Sequence, residues 1–179
     1  MKLSATTTTV LFKWCEPPKK QVGSILLSDQ LKMETRWATA CVCGPDSIIT
    51  PGDKILMSAR PVTYKFNING EDMENTADKS ILAFKHLGEL RATAGTILYE
   101  WLEPEEETTA SGIILVQKAA TKELEPRWGR VIASGPTSGV RPGDHILLAW
   151  KSDAYTIEID GRELHNAGME EISCFKSLS

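Results

Sequence analysis

The feature that most constrains this chain is that it repeats itself. Residues 37–57, WATACVCGPDSIITPGDKILM, and residues 128–148, WGRVIASGPTSGVRPGDHILL, share one length and one punctuation. Gly44-Pro45 falls under Gly135-Pro136 and Pro51-Gly52-Asp53 under Pro142-Gly143-Asp144, at a constant offset of 91. A fixed offset across so long a stretch marks a duplicated structural unit. In a chain of 179 residues, duplication implies two small units of roughly 90 residues each, near the lower end of domain size. Such units bury modest cores and are expected to lean on each other.

Each copy of the motif reads as strand, tight turn, strand. Branched residues fill the flanks, and the Gly-Pro and Pro-Gly-Asp groups break the middle. Upstream, LSATTTTVLFKWCEP (3–17) aligns with LRATAGTILYEWLEP (90–104) at an offset of 87. Both are predicted to form a strand of aromatic and branched residues closed by Glu-Pro. The boundary between units therefore falls near Leu87-Gly88, giving units 1–87 and 88–179. The junction has no flexible Gly/Ser linker, so the halves are expected to stay close together. Downstream, Tyr64 to Gly70 matches Tyr155 to Gly161, with apolar residues alternating and Asn-Gly or Asp-Gly supplying hairpin turns. Each unit ends in an apolar run, Ile81 to Phe84 and Ile172 to Phe175, and no amphipathic helix stands out. About five short strands per unit, broken by Gly/Pro turns, predict an all-β fold of two tandem small β-barrels.

The offset slides from 87 to 91 within 18–36 and 105–127, so length variation is confined to one segment of each copy. Variation of that kind belongs to exposed loops, and loops this long are uncommon without a use. Each holds a glycine beside an apolar triplet: Gly23 near Ile25-Leu26-Leu27, and Gly112 before Ile113-Ile114-Leu115. By periodicity alone the triplets read as short core strands. The other reading is that they anchor the loop in a partner's groove.

Composition narrows the function. A net charge of −4 without a long basic run argues against nucleic acid. No apolar run reaches the ~18 residues of a membrane helix, and no signal or transit pattern opens the chain, so a cytoplasmic location is expected. Cys15, Cys41, Cys43 and Cys174 could in principle hold zinc. Their counterparts Leu102, Ile132, Ser134 and Ala83 are small or apolar, which favours cysteine as a small buried hydrophobe. His86, His145 and His165 face Ser177, Lys54 and Glu74 and read as surface positions. No nucleophile-and-base grouping or phosphate-binding loop is present. Trp14, Trp37, Trp101 and Trp128 recur between copies and read as core anchors at strand ends, whereas Trp150 faces Ala59.

The glycine-flanked triplet in a long loop, followed by Gly129-Arg-Val-Ile-Ala-Ser-Gly-Pro136, resembles the GroES/chaperonin-10 co-chaperonin family. So do Pro142-Gly143-Asp144 with its apolar sequel, the Tyr155 hairpin and the closing Glu170 to Phe175. The resemblance covers each half once and is clearer in the second. It implies two GroES-like irregular β-barrels, each with a long mobile loop. It also implies a GroEL-type chaperonin ring as partner, bound through Ile25, Leu26 and Leu27 and through Ile113, Ile114 and Leu115. A client protein would fold inside the capped chamber, within a homo-oligomeric ring of caps. No cofactor is implied, since nucleotide would sit on the chaperonin. Two departures stand out. The family's opening Asp-Arg-Val is Thr8-Thr9-Val10 and Gly95-Thr96-Ile97 here, and only Asp46 to Thr50 and Thr137 to Arg141 occupy the place of the roof hairpin. Little or no roof is similar to phage-encoded members; a tandem chain is similar to plastid ones. A viral structural or assembly protein using the same barrel to grip another protein is the alternative.

Overall fold

The computed structural model describes residues 3–15, 35–58, 63–102, 127–148 and 156–177. These form thirteen strands and two single 3-10 turns, arranged as two antiparallel sheets. The first contains β1 (Thr9–Trp14), β2 (Thr35–Cys43), β3 (Lys54–Ser58), β4 (Lys65–Ile68), β5 (Glu71–Ala77), β6 (Ala83–His86) and β7 (Glu89–Ala92). Its order is β4-β5-β1-β2-β3-β6-β7. The second contains β8 (Thr96–Trp101), β9 (Arg127–Ser134), β10 (His145–Leu148), β11 (Thr156–Ile159), β12 (Arg162–Gly168) and β13 (Ile172–Lys176), in the order β11-β12-β8-β9-β10-β13. The all-β class expected from the sequence is therefore observed, and the second sheet repeats the order of the first without its outermost strand.

The duplicated turns have a common physical basis. Pro51-Gly52 and Pro142-Gly143 occupy the centre of a turn whose second residue needs positive φ, and Gly52 and Gly143 adopt 98° and 95°. The following aspartate closes the turn. Asp53 accepts bonds from the Thr50 amide (2.8 Å) and hydroxyl (3.0 Å), and Asp144 accepts one from the Arg141 amide (2.9 Å). Asn69-Gly70 and Asp160-Gly161 take positive φ at both positions, as a two-residue hairpin requires. Gly44 and Gly135 are needed for a different reason. A Cβ there would lie 2.0 Å from the Thr7 carbonyl oxygen and 1.9 Å from that of Thr93, so the neighbouring backbone could not pack as it does. The segments between Gly44 and Asp53 and between Gly135 and Asp144 hold turns and no strand, so the roof hairpin is missing in both halves.

The two cores match position by position. Val10, Phe12, Ala40, Ile49, Ile55 and Met57 lie in one buried cluster, and Ile97, Tyr99, Val131, Val140, Ile146 and Leu148 in another. Alternation along each strand puts these residues on one face. A bulge recurs too, after Leu11 in β1 and after Leu98 in β8. One surface ion pair is preserved with its charges exchanged. Lys13 pairs with Glu71 at 2.7 Å, whereas Glu100, at the place of Lys13, pairs with Arg162 at 2.6 Å and with Arg130. The bond from Arg162, then that from Arg130, holds the Glu100 carboxyl below its ordinary pKa, and the Glu71 bond raises that of Lys13.

The opening strand of each copy is not continuous as expected. Thr7 and Thr8 form a turn before β1, and Ala94-Gly95 a turn between β7 and β8, with Thr7 at φ 45° and Gly95 at 73°. The break lets β7 leave the second sheet and pair with β6 instead, joined by the two-residue turn Leu87-Gly88 (φ 50° and 87°). Beneath this pairing lies a third buried cluster. Leu56 and Ala83 come from the first sheet's outer flank, and Leu98, Ala133, Ile157 and Leu164 from the second sheet. Lys85 bridges the same seam to Asp160 at 2.7 Å. The halves are thus packed together through an apolar seam with a polar rim.

Candidate functional site

The triplets Ile25-Leu26-Leu27 and Ile113-Ile114-Leu115, with Gly23 and Gly112, lie outside the described residues. The structure describes the two bases from which their segments leave and to which they return. In the first half the chain leaves after β1 and re-enters through β2; in the second it leaves after β8 and re-enters through β9. Antiparallel pairing of those strands fixes the two ends about 5 Å apart. A backbone bond closes each base, from the Cys15 amide to the Trp37 carbonyl (3.0 Å) and from the Leu102 amide to the Trp128 carbonyl (2.9 Å).

An aromatic clasp reinforces the closure. Trp14 packs edge-on against Phe12 with ring centroids 5.1 Å apart, and Trp101 packs the same way against Tyr99 at 5.0 Å. Over each tryptophan lies an arginine from the returning strand, Arg36 at 4.8 Å and Arg127 at 4.6 Å from the ring centroid. Arg36 also donates to the Cys15 carbonyl at 3.0 Å. Stacking of this kind contributes about 0.5–1 kcal/mol at exposed sites. The last ordered residues before each segment are thereby tied to the first ones after it. What the arrangement can do is mechanical: it holds a long segment by two closely spaced, rigid ends, so that binding by its centre would pull on the barrel itself.

The two arginines were not among the residues the sequence pointed to. Their signal was present, because Arg36-Trp37 and Arg127-Trp128 are the same dipeptide at the same offset.

Several sequence expectations are corrected here. Trp14, Trp37 and Trp101 are half-buried anchors, whereas Trp128 is 40% exposed. His165 is not a surface residue: it packs against Tyr99 and Trp101, at 5.4 and 5.6 Å between centroids. Cys15, Cys41 and Cys43 are only half-buried, and Cys174 is exposed, so burial does not explain cysteine there. Cys15 lies beside the Thr39 hydroxyl and Lys54 ammonium, neither of which competes for a metal. Burial pushes the Cys43 thiol up to about 11, which keeps it protonated and unreactive at neutral pH. Trp150 lies outside the described residues. Among the described residues no helix is long and apolar enough to cross a membrane.

Comparison with known protein families bears on the second half. Residues 89–175 match the Chaperonin 10 Kd subunit family. The match opens at β7 and closes within β13, so it takes in the whole second sheet, the clasp of Trp101 and Arg127, and the Ile113 triplet. This chaperonin-10 segment supports a co-chaperonin family role and a GroES-like barrel, in a family that does not consist of enzymes. No match was found among curated proteins.

Proposed function

We propose that the chain is a co-chaperonin that binds a GroEL-type chaperonin ring and closes its folding chamber over a client protein. The observation that carries this reading is the chaperonin-10 match over 89–175. The parallel construction of the first half extends it to both units, 1–87 and 88–179. Contact is made by Ile25, Leu26 and Leu27 in one unit and by Ile113, Ile114 and Leu115 in the other, with Gly23 and Gly112 allowing the backbone to conform. Three branched side chains contribute roughly a few kcal/mol, weak for one loop after its ordering cost. Several loops on one cap add up through effective concentration and still let the cap leave. The chain needs no catalysis and no cofactor of its own, because nucleotide belongs to the chaperonin. The strandless turns at 44–53 and 135–144 favour an open-roofed cap of the phage-encoded kind, working in the host cytoplasm.

The test replaces Ile113, Ile114 and Leu115 with serine and measures capture on an immobilised chaperonin ring with ATP. The expected result is loss of most of the binding with an unchanged circular dichroism spectrum and melting temperature. A variant that keeps full binding, or that unfolds because the triplet is core, would sink the proposal.

A further inference from the structure

The seam inside the chain has two halves, and each half exists a second time without its partner. Strand β6 is covered on its outer side by β7, with Ala83 opposite Ala92, Phe84 opposite Arg91 and Lys85 opposite Leu90. Strand β13 holds the position of β6 in the second sheet, yet nothing pairs with its outer side. The positions of Ala83, Phe84 and Lys85 recur as Cys174, Phe175 and Lys176. Phe84 is 3% exposed and Phe175 is 50% exposed. The counterpart of β7 is Leu3-Ser4-Ala5, which is described in the structure but belongs to no strand.

The sheet faces behind these edges show the same imbalance. Ile157, whose side chain fills the seam, is 0% exposed, and its counterpart Phe66 is 42% exposed. Trp37 packs against the seam cluster, and its counterpart Trp128 lies open. One bare face is on the first unit and the complementary bare face is on the second. Together they form the two sides of an interface already present once in the molecule.

We infer that copies of this chain assemble head to tail through a joint that repeats the seam. Leu3 to Ala5 of one chain adds as a strand along β13 of another, with Ala5 opposite Cys174 and Leu3 opposite Lys176, and Trp128 covers the Phe66 face. Edge strands recruit partners in this way when nothing blunts them. The contact uses different surfaces on the two chains, so it closes into a ring if the rotation permits. Every closed ring then contains an even number of barrels, two from each chain. The joint is also less polar than the seam: Lys85 meets Asp160 inside the chain, whereas Lys176 would meet Asn69. The exposure of Cys174 follows from the same scheme, since its counterpart Ala83 is buried only because β7 lies over it. The inference rests on the seam alone and stands or falls independently of chaperonin binding.

The experiment is a register-specific crosslink in the full chain. Ala5→Cys places a thiol opposite the native Cys174 of the neighbouring chain, and diamide as oxidant takes up the two protons and two electrons released as the bond forms. The expected result is a ladder of dimers and higher species on a non-reducing gel, abolished when Cys174→Ser is added. Native mass spectrometry of the uncrosslinked protein should show a discrete oligomer of whole chains. A ladder unchanged by Cys174→Ser, no ladder at all, or a monomer at every concentration up to the solubility limit would overturn the inference.

Discussion

Strands β6 and β13 occupy the same place in two copies of one unit, and they have opposite fates. Strand β6 lies within a sheet, flanked by β3 and β7, while β13 ends one beside β10 alone. Their sequences, AFKH and SCFK at matching positions, do not foretell the difference. What differs is the neighbour: a two-residue turn delivers β7 to β6, and no segment of the same chain is placed to do so for β13. The comparison teaches that an exposed aromatic in a duplicated protein is best judged against its twin. Phe66 and Trp128 look like incidental surface apolar residues until Ile157 and Trp37 show what such positions are for.

The sharpest way to break this comparison is to truncate both twins. Ile157→Ala removes a fully buried side chain from the seam and is expected to destabilise the fold by about 2–5 kcal/mol in chemical denaturation. Phe66→Ala, measured at a dilution where chains are separate, should change stability by only ~0.5 kcal/mol. Equal losses at the two positions would mean that the first half's face is covered in some other way.

A smaller effect is expected at the charge-exchanged pair. Glu100 has a lowered pKa because Arg162 and then Arg130 stabilise its anion. Its contribution is therefore present above the ordinary carboxylate range and is lost as the pH falls through the lowered value. Glu100→Gln should cost about 0.5–1 kcal/mol at neutral pH, as exposed pairs do, and nothing in strong acid. Lys13 has a raised pKa from Glu71, so its share of the first-half pair is lost in alkali instead. Thermal melts of Glu100→Gln and the parent across pH check the sign. A difference that persists unchanged into strong acid would contradict it.

Much of the fold was legible because turns are written in residue types. Pro-Gly-Asp, Asn-Gly and Asp-Gly each require a particular backbone conformation, and the strands between them follow from alternation. The break at Thr93-Ala94-Gly95 was not legible, since Thr7-Thr8 makes the equivalent turn in the first copy without any glycine. Nor was the covering of each sheet's second face. Alternation states which residues share a face and is silent on what lies against it, so His165, Trp128 and the cysteines were misplaced. The clasps of Arg36 and Arg127 were present as a repeated dipeptide, but their meaning depends on a stacking distance that only coordinates supply. The triplets were legible through family likeness and through the one segment where the repeat changes length.

The most direct test of the functional account is co-elution of the purified chain with a GroEL-type ring on a sizing column, with and without adenine nucleotide. The account predicts that the chain moves with the ring when ATP or ADP is present and separates from it when nucleotide is withdrawn. A chain that never co-elutes with the ring, whatever the nucleotide, would contradict it.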